Sequence, residues 1–307
     1  MKKFYTLLVV MVLLFSISAA TLAAVDFGGN IRVWYKSNFG DNNTGGFYFD
    51  RLALKATAIV AENDGFFSEL RFAYKGALTT MAYDEFYYFH KNLFAEGDQL
   101  KVGYVFLPFI NDKYLGIIQE SLAKSYAGAK NSTGIKYDLK MDGFTGSLAL
   151  TNWKNDTGTL ASGDGSGFDM ALRVSFKVID ELSVGVGYVN DATVTGGATT
   201  NTGSLVADVL YSAGPFGVFF EYVNKTPAVG SAQSGMYLEP NFKLMDNLTV
   251  YVGSTLASKD SGLTTSEWFV GGLKYQVASK TTLQAEFISY PDASAKNCFG
   301  IRLRQDF

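Results

Sequence analysis

Between Phe168 and Lys177 apolar and polar side chains change places at every step. Phe168, Met170, Leu172, Val174 and Phe176 form one set, and Asp169, Ala171, Arg173, Ser175 and Lys177 the other. A period of two places such sets on opposite faces of a β-strand. The alternation returns at Phe66, Leu70, Phe72 and Tyr74 against Phe67, Glu69, Arg71, Ala73 and Lys75. It closes the chain as well. Phe299, Ile301, Leu303 and Phe307 oppose Gly300, Arg302, Arg304 and Asp306, with Gln305 the one polar member of the greasy face. Strands of this kind stand between hydrocarbon and water. The alternative at this point is an amphipathic edge strand of a soluble sandwich.

Turn-like pieces recur at Glu62-Asn63-Asp64-Gly65, Lys140-Met141-Asp142-Gly143, Ile179-Asp180-Glu181, Ser212-Ala213-Gly214-Pro215, Met245-Asp246-Asn247 and Ala278-Ser279-Lys280. Each carries the Asp, Asn, Gly or Ser that tight turns favour. Looser polar stretches lie between them: 40–46, 155–166, 191–201, 224–235, 258–264 and 291–296. Short and long connections therefore take turns, as they do at the two rims of a membrane barrel. The segments predict about sixteen strands, at 25–38, 47–61, 66–76, 82–90, 98–108, 131–139, 143–153, 167–178, 182–190, 203–211, 216–224, 235–244, 248–257, 266–276, 281–290 and 297–307. The fold class is all-β: a transmembrane antiparallel up-and-down β-barrel with both ends on the short-turn side. Outward aromatics sort by depth, with Phe176, Tyr211, Phe216, Tyr275 and Phe307 near the turns. Phe168, Tyr188, Tyr222 and Phe299 lie near the loops. Two girdles of this kind mark the two membrane interfaces.

The N-terminus changes the compartment. Lys2 and Lys3 precede the apolar run Leu7 to Leu14, and small residues follow at Ser16, Ser18, Ala19, Ala20, Ala23 and Ala24. This is the layout of a secretory signal peptide, read as 1–23 with cleavage after Ala23 or Ala24, ahead of one barrel domain at 24–307. A membrane anchor is the competing reading, since the run from Phe4 to Ala20 is nearly long enough to span. Beyond it no apolar run suits a helical span, so a membrane fold built from this chain must be a closed sheet.

Composition agrees: 32 Gly, 18 Tyr and 25 Phe accompany 5 Pro, 1 Cys and 1 His, and charged residues make up 18%. Removing the two leader lysines from 26 basic residues leaves 24 against 29 acidic ones. A mildly acidic chain gives no sign of nucleic-acid binding. The lone Cys298 excludes an internal disulfide framework and reads as a small apolar filler near the loop end of the last strand. No cofactor is indicated, and one histidine leaves no imidazole cluster for zinc.

The last strand, ending on Phe307, resembles the closing strand of Gram-negative outer-membrane barrels. Two further stretches carry a family likeness. Phe49-Asp50-Arg51-Leu52-Ala53-Leu54-Lys55-Ala56 followed by Gly65-Phe66-Phe67-Ser68-Glu69-Leu70-Arg71-Phe72 is similar to the opening hairpin of the phosphate-selective porin O and P family. Leu100 to Phe109 is similar to that family's strand entering the third loop. The likeness covers roughly the first third of the mature chain. It implies a homotrimer of water-filled barrels in the outer membrane, in contact with lipid and passing small hydrophilic solutes and ions. Between Pro108 and Lys130 the basic residues are Lys113, Lys124 and Lys130, with no run of arginines, so phosphate selectivity is not carried over.

That same stretch breaks the alternation. It holds Asp112, Lys113, Glu120 and Lys124 with an apolar knot at Leu115, Ile117 and Ile118. Long loops are functional or disordered, and the knot argues against disorder. Its place as the third long loop resembles the loop that folds inward and narrows trimeric porins; a flap on the outer rim is the alternative. In a closed barrel strands sixteen, one, two and three are neighbours. Their inner faces then gather Arg302, Arg304, Arg32, Lys36, Arg51, Lys55, Arg71 and Lys75 against Glu69 and Asp306. Like charges on a low-dielectric wall concentrate anions, which predicts a mild anion preference. The opposing consideration is screening within about 8 Å at physiological salt.

An outer-membrane enzyme is the rival class. His90 lies at the turn end of its strand, away from the loops, and suits an interfacial residue better than a proton shuttle. Glu69, Asp169, Asp208, Glu221, Glu239 and Glu286 face inward and offer carboxylate pairs, yet charged walls are ordinary in pores. Trp34, Phe67, Phe219 and Trp268 are too scattered along the chain for a sugar slide. Gly185 and Gly187 alternate on the inner face and predict clearance for the inward loop. A structural or adhesive barrel without an open pore also stays open.

Overall fold

The structure, a computed structural model, describes residues 24–39, 45–73, 80–111, 115, 131–151, 169–195, 198–226, 232–257, 267–290 and 297–307. The leader 1–23 lies outside the described residues, as do Lys75, Asp112, Lys113, Glu120, Lys124, Ile117, Ile118 and Phe168. Sixteen strands are formed: β1 (Ala24–Phe39), β2 (Gly45–Ile59), β3 (Asp64–Ala73), β4 (Thr80–Lys91), β5 (Gln99–Phe106), β6 (Asn131–Met141), β7 (Phe144–Thr151) and β8 (Asp169–Ile179). They continue as β9 (Leu182–Thr195), β10 (Ala198–Ala213), β11 (Phe216–Thr226), β12 (Gln233–Met245), β13 (Leu248–Ala257), β14 (Phe269–Ala278), β15 (Thr281–Ser289) and β16 (Asn297–Asp306). Each pairs antiparallel with its sequence neighbours, and β16 returns to β1 to close the barrel.

Closure is specified residue by residue. The β1–β16 register runs from Asn30↔Asp306 to Phe39↔Asn297. Phe307 extends it, donating its N–H to the carbonyl of Gly29 at 3.1 Å and accepting the Gly29 N–H at 3.0 Å. No sheet edge is left between first and last strands, which in hydrocarbon is the condition for satisfying every backbone group.

Alternation sorts the side chains as the sequence predicts. Phe176, Phe216, Tyr275 and Phe307 are exposed on the outer face near the tight turns. Phe47, Phe269 and Phe287 are exposed near the opposite rim. Aromatic pairs brace the turn-side belt, as between Phe144 and Phe176 at 5.1 Å and between Phe66 and Tyr88 at 5.6 Å. Cys298 is buried beside Ile288, its register partner, as an apolar filler.

One sequence expectation is corrected. The stretch 191–201 is not a loop: β9 runs to Thr195 and β10 starts at Ala198, paired Ala198↔Thr195 through Thr202↔Asp191. Its threonines and valines have strong strand preference, and it lengthens the hairpin despite its polar composition. The inner wall carries apolar residues as well as charges. Toward the loop side the inward residues Val189, Val206, Val223, Val270 and Ile288 are apolar and buried, in one cluster with Leu107, Phe109 and Ile110 from beyond β5.

Candidate functional site

Arginines meet face to face across the closing seam. Arg32 on β1 is directly opposite Arg51 on β2 and Arg304 on β16. One pair nearer the loops, Arg302 is opposite Trp34 on one side and Gln284 on the other, and its guanidinium lies 5.8 Å from the Trp34 ring. Lys36 is opposite Gly300, Lys55 opposite Glu69, and Arg71 opposite Ala53. Apart from Lys75, every member of the predicted basic wall thus falls on four consecutive strands. Like charges directly opposite destabilise a sheet, so this clustering carries a local cost.

Part of that cost is offset by two carboxylates. Glu69, buried on β3, accepts hydrogen bonds from Arg51 and lies 3.1 Å from Lys55 Nζ and 4.0 Å from an Arg71 nitrogen. Arg304 is held by Asp306 at 2.8 Å. Three inward cations outside the predicted wall were legible as lumen residues by alternation alone. Lys101 and Lys136 flank Asp138 at 2.8 and 3.4 Å, and Arg173 meets Asp208 at 2.6 Å. Lys274 on β14 is a fourth, opposite Gln284.

The wall from β10 round to β15 carries buried carboxylates. Asp208, Glu221, Glu239 and Glu286 on β10, β11, β12 and β15 are all buried. Tyrosines of the same wall donate to them, Tyr237 to Glu239 and Tyr251 to Glu286, the latter at 2.7 Å. The segment after β5 also contributes: Asn111 Nδ2 donates to Asp208 at 2.8 Å, beside Arg173, and the Leu115 N–H donates to Glu239 at 2.8 Å. The Leu115 carbonyl accepts from Gln284 Nε2 at 3.2 Å. Glu239 therefore accepts from the backbone at Leu115 and Asp208 from the side chain of Asn111.

Glycine makes the approach possible at one point. A Cβ on Gly187 would lie 2.0 Å from the carbonyl oxygen of Phe109. At Gly185 the added atom would meet Arg173 at 2.4 Å and Asp208 at 2.9 Å, so this second glycine accommodates the ion pair and not the segment itself. Phe219 and Trp268 are buried on either side of Tyr237, with ring centroids 6.2 and 5.3 Å from it. Phe67 stacks on Tyr87 at 5.1 Å, elsewhere on the wall. The four inward aromatics thus form no continuous track.

His90 sits at the turn end of β4, opposite Asp64 in the register, with Nδ1 2.8 Å from Asp64 Oδ1. Asp64 also accepts the Tyr88 hydroxyl, which ties β3 to β4 at the rim. In the next turn Asp98 caps the backbone, accepting the N–H groups of Leu93, Phe94 and Ala95 at 2.7, 2.8 and 2.9 Å and the Tyr137 hydroxyl at 2.6 Å. Burial acts to raise its pKa, but these donors outweigh burial and bring it down to about 2. Among the described residues no group of three or more His, Cys, Asp or Glu side chains is arranged to hold a metal.

A closed sixteen-stranded sheet with an apolar, aromatic-belted outside and a charged inside defines a β-barrel membrane protein. The family model for Gram-negative porins matches residues 7–291, and the chain belongs to that family. It is an outer-membrane channel. Solved structures of the same fold include OmpT of Vibrio cholerae as a loop L8 deletion mutant, at TM-score 0.68 and 16% identity, covering 92% of this chain and 99% of that one. The trimer form of OmpT aligns at TM-score 0.63 and 15% identity, covering 92% and 99%. OmpF of Salmonella typhi in complex with daunomycin aligns at TM-score 0.68 and 9% identity, covering 92% and 97%. No curated protein matches the sequence significantly.

Proposed function

We propose that the mature chain, after removal of 1–23, is a non-enzymatic diffusion porin that passes small hydrophilic solutes and ions and mildly prefers anions. The carrying observation is the asymmetry of the lumen. Arginines and lysines line β16, β1, β2 and β3, while on β10 and β12 the buried carboxylates of Asp208 and Glu239 are bonded by the segment that follows β5. A solute therefore meets exposed positive charge with the opposing negative charge withdrawn, and low-dielectric walls focus that field. In this reading the stretch 108–130 folds inward as the constriction, with Asp112, Lys113, Glu120 and Lys124 at the eyelet. Support comes from the bonds of Asn111 and Leu115 to Asp208, Glu239 and Gln284.

The likeness of 49–56, 65–72 and 100–109 to the phosphate-selective porins O and P favours anion handling by the same wall. A homotrimer bedded in outer-membrane lipid is supported by the trimer form described for the similar OmpT. Purified protein in a planar bilayer should give stepwise ohmic currents, and sealed membranes would instead favour a structural or enzymatic barrel. Replacing Arg51, Lys55 and Arg71 together by glutamine should move the reversal potential in a salt gradient toward cations. An unchanged potential would remove the basic wall from the account and leave the pore.

A further inference from the structure

The lumen cations separate into two groups once their partners are assigned. Arg51, Lys55 and Arg71 share Glu69; Lys101 and Lys136 share Asp138; Arg173 and Arg304 have Asp208 and Asp306. Arg32, Arg302 and Lys274 differ. Among the described residues none of the three forms an ion pair, and Arg302 donates to the neutral amide oxygen of Gln284. The buried Nε atoms of Arg32 and Arg302 face no acceptor. Asp50 lies within electrostatic reach of Arg32, and Asp50 and Glu286 within reach of Arg302, yet neither closes to an ion pair with them.

The fold brings these three cations together. Lys274 is opposite Gln284, Gln284 is opposite Arg302, and Arg302 is one register step from the Arg304–Arg32 pair. They occupy β14, β16 and β1, with β15 between the first two, so at about 4.8 Å per strand the outer pair stand about 14 Å apart, a gap that long side chains pointing into one lumen can close around a small solute. Gln284 also holds the carbonyl of Leu115, so the cluster sits beside the seat of the crossing segment. Among the described residues Lys36 likewise forms no ion pair, but it lies nearer the loop rim, opposite Gly300.

We propose that Arg32, Arg302 and Lys274 form a binding site for a divalent oxyanion in transit. Uncompensated guanidinium groups inside a low-dielectric wall need an anion, and their planar forks match the paired oxygens of carboxylate, sulfate or phosphate groups. A single negative charge would leave two of the three cations unmatched, and a dianion balances the cluster better. The site deepens the anion-handling reading and rests on the chain being an open pore.

The test uses the full mature protein in a planar bilayer at low potassium chloride, with sulfate as a compact dianion, succinate as an extended one, and acetate as the monovalent control. The wild type should show saturable block of the chloride current by sulfate or succinate and none by acetate. Which dianion blocks at lower concentration tells compact from extended solutes. Arg32→Gln and Lys274→Gln should each raise the half-blocking concentration roughly tenfold, the loss of one charge-assisted contact. Lys101→Gln, on β5 five strands round the barrel from Arg302 and held by Asp138, should leave it within about twofold on the same scale. Heat-modifiable migration confirms that each variant is folded, and Lys274→Gln on a separate strand carries the test if Arg32→Gln misfolds. Pores without saturable dianion block, equal block by acetate, or equal weakening by Lys101→Gln would overturn the site while leaving the channel. Membranes that carry no current would remove the channel reading itself.

Discussion

Single atoms decide two features of this barrel. At Gly187 there is no space for a methyl group, because the Phe109 carbonyl stands 2.0 Å from where a Cβ would be. Gly187→Ala should therefore push the segment after β5 off the wall, with an overpacking cost of about 1–3 kcal/mol. The expected outcome is a larger single-channel conductance and a lower unfolding temperature. Gly271→Ala, whose added Cβ meets nothing within 4 Å, should change neither. Equal behaviour of the two variants would show that the contact at Phe109 does not set the bore. The second feature is Asp98, with a pKa of about 2 in the folded turn against about 3.9 for a free aspartate. A carboxyl depressed by folding contributes stability that is fully present above its unfolded pKa and disappears as pH falls through its folded one. Asp98→Asn should hence lower the melting temperature at pH 7, and the gap to the wild type should narrow between about pH 4 and pH 2. A gap that stays constant over that window would mean the charge of Asp98 is not what holds the turn.

Among the elements, the chain following β5 matters most. It leaves the sheet at Leu107 and is held by side chains of β10, β12 and β15, far along the barrel from its own strand. Two kinds of force act on it. Burial of Leu107, Phe109 and Ile110 against the inward valines supplies the non-directional part. The carboxylates of Asp208 and Glu239 supply direction, since the Asn111 side-chain amide and the Leu115 backbone N–H each donate to an ionised acceptor and such bonds are strong. Glu239→Gln keeps the shape and removes the charge, a loss of about 1.5–3 kcal/mol from the Leu115 contact. Trypsin should then cut faster at Lys113, Lys124 or Lys130 while the strands stay resistant. An unaltered cleavage rate would show that apolar burial alone fixes the segment. The alternation of Gly185, Gly187 and Val189 announced an inward-facing stretch with room on it, and the breakdown of alternation after Phe106 announced a departing chain. Which wall that chain would reach was not legible, because its acceptors lie about a hundred residues away in sequence and no local period encodes that distance.

At the scale of the molecule, closure makes the wall. Phe307 exchanges two backbone hydrogen bonds with Gly29, and a Cβ on Gly29 would fall 2.7 Å from the Phe307 ring. Deleting Phe307 removes both bonds, at about 0.5–1.5 kcal/mol each, so the urea midpoint of the folded barrel in detergent should fall. A midpoint equal to that of the wild type would show that the seam ends effectively at Asp306. Closure also creates the Arg51–Arg32–Arg304 row from residues on β2, β1 and β16. The sequence by itself determined the strand number, the antiparallel up-and-down order of the strands and the sorting of lipid and lumen faces. All of these follow from a period of two read against hydrocarbon on one side and water on the other. It also allowed the error at 191–201, where polar threonines read as loop although their branched side chains suit an extended hairpin. Only the tertiary structure decided which cations are matched and which acids are covered. Glu69 serves three basic side chains whereas Arg32, Arg302 and Lys274 have no carboxylate in contact among the described residues. Alternation says which way a side chain points, but whether a charge is neutralised depends on register across strands and on the contacts of Asn111 and Leu115 with distant strands. Both are set by contacts between residues remote in the chain.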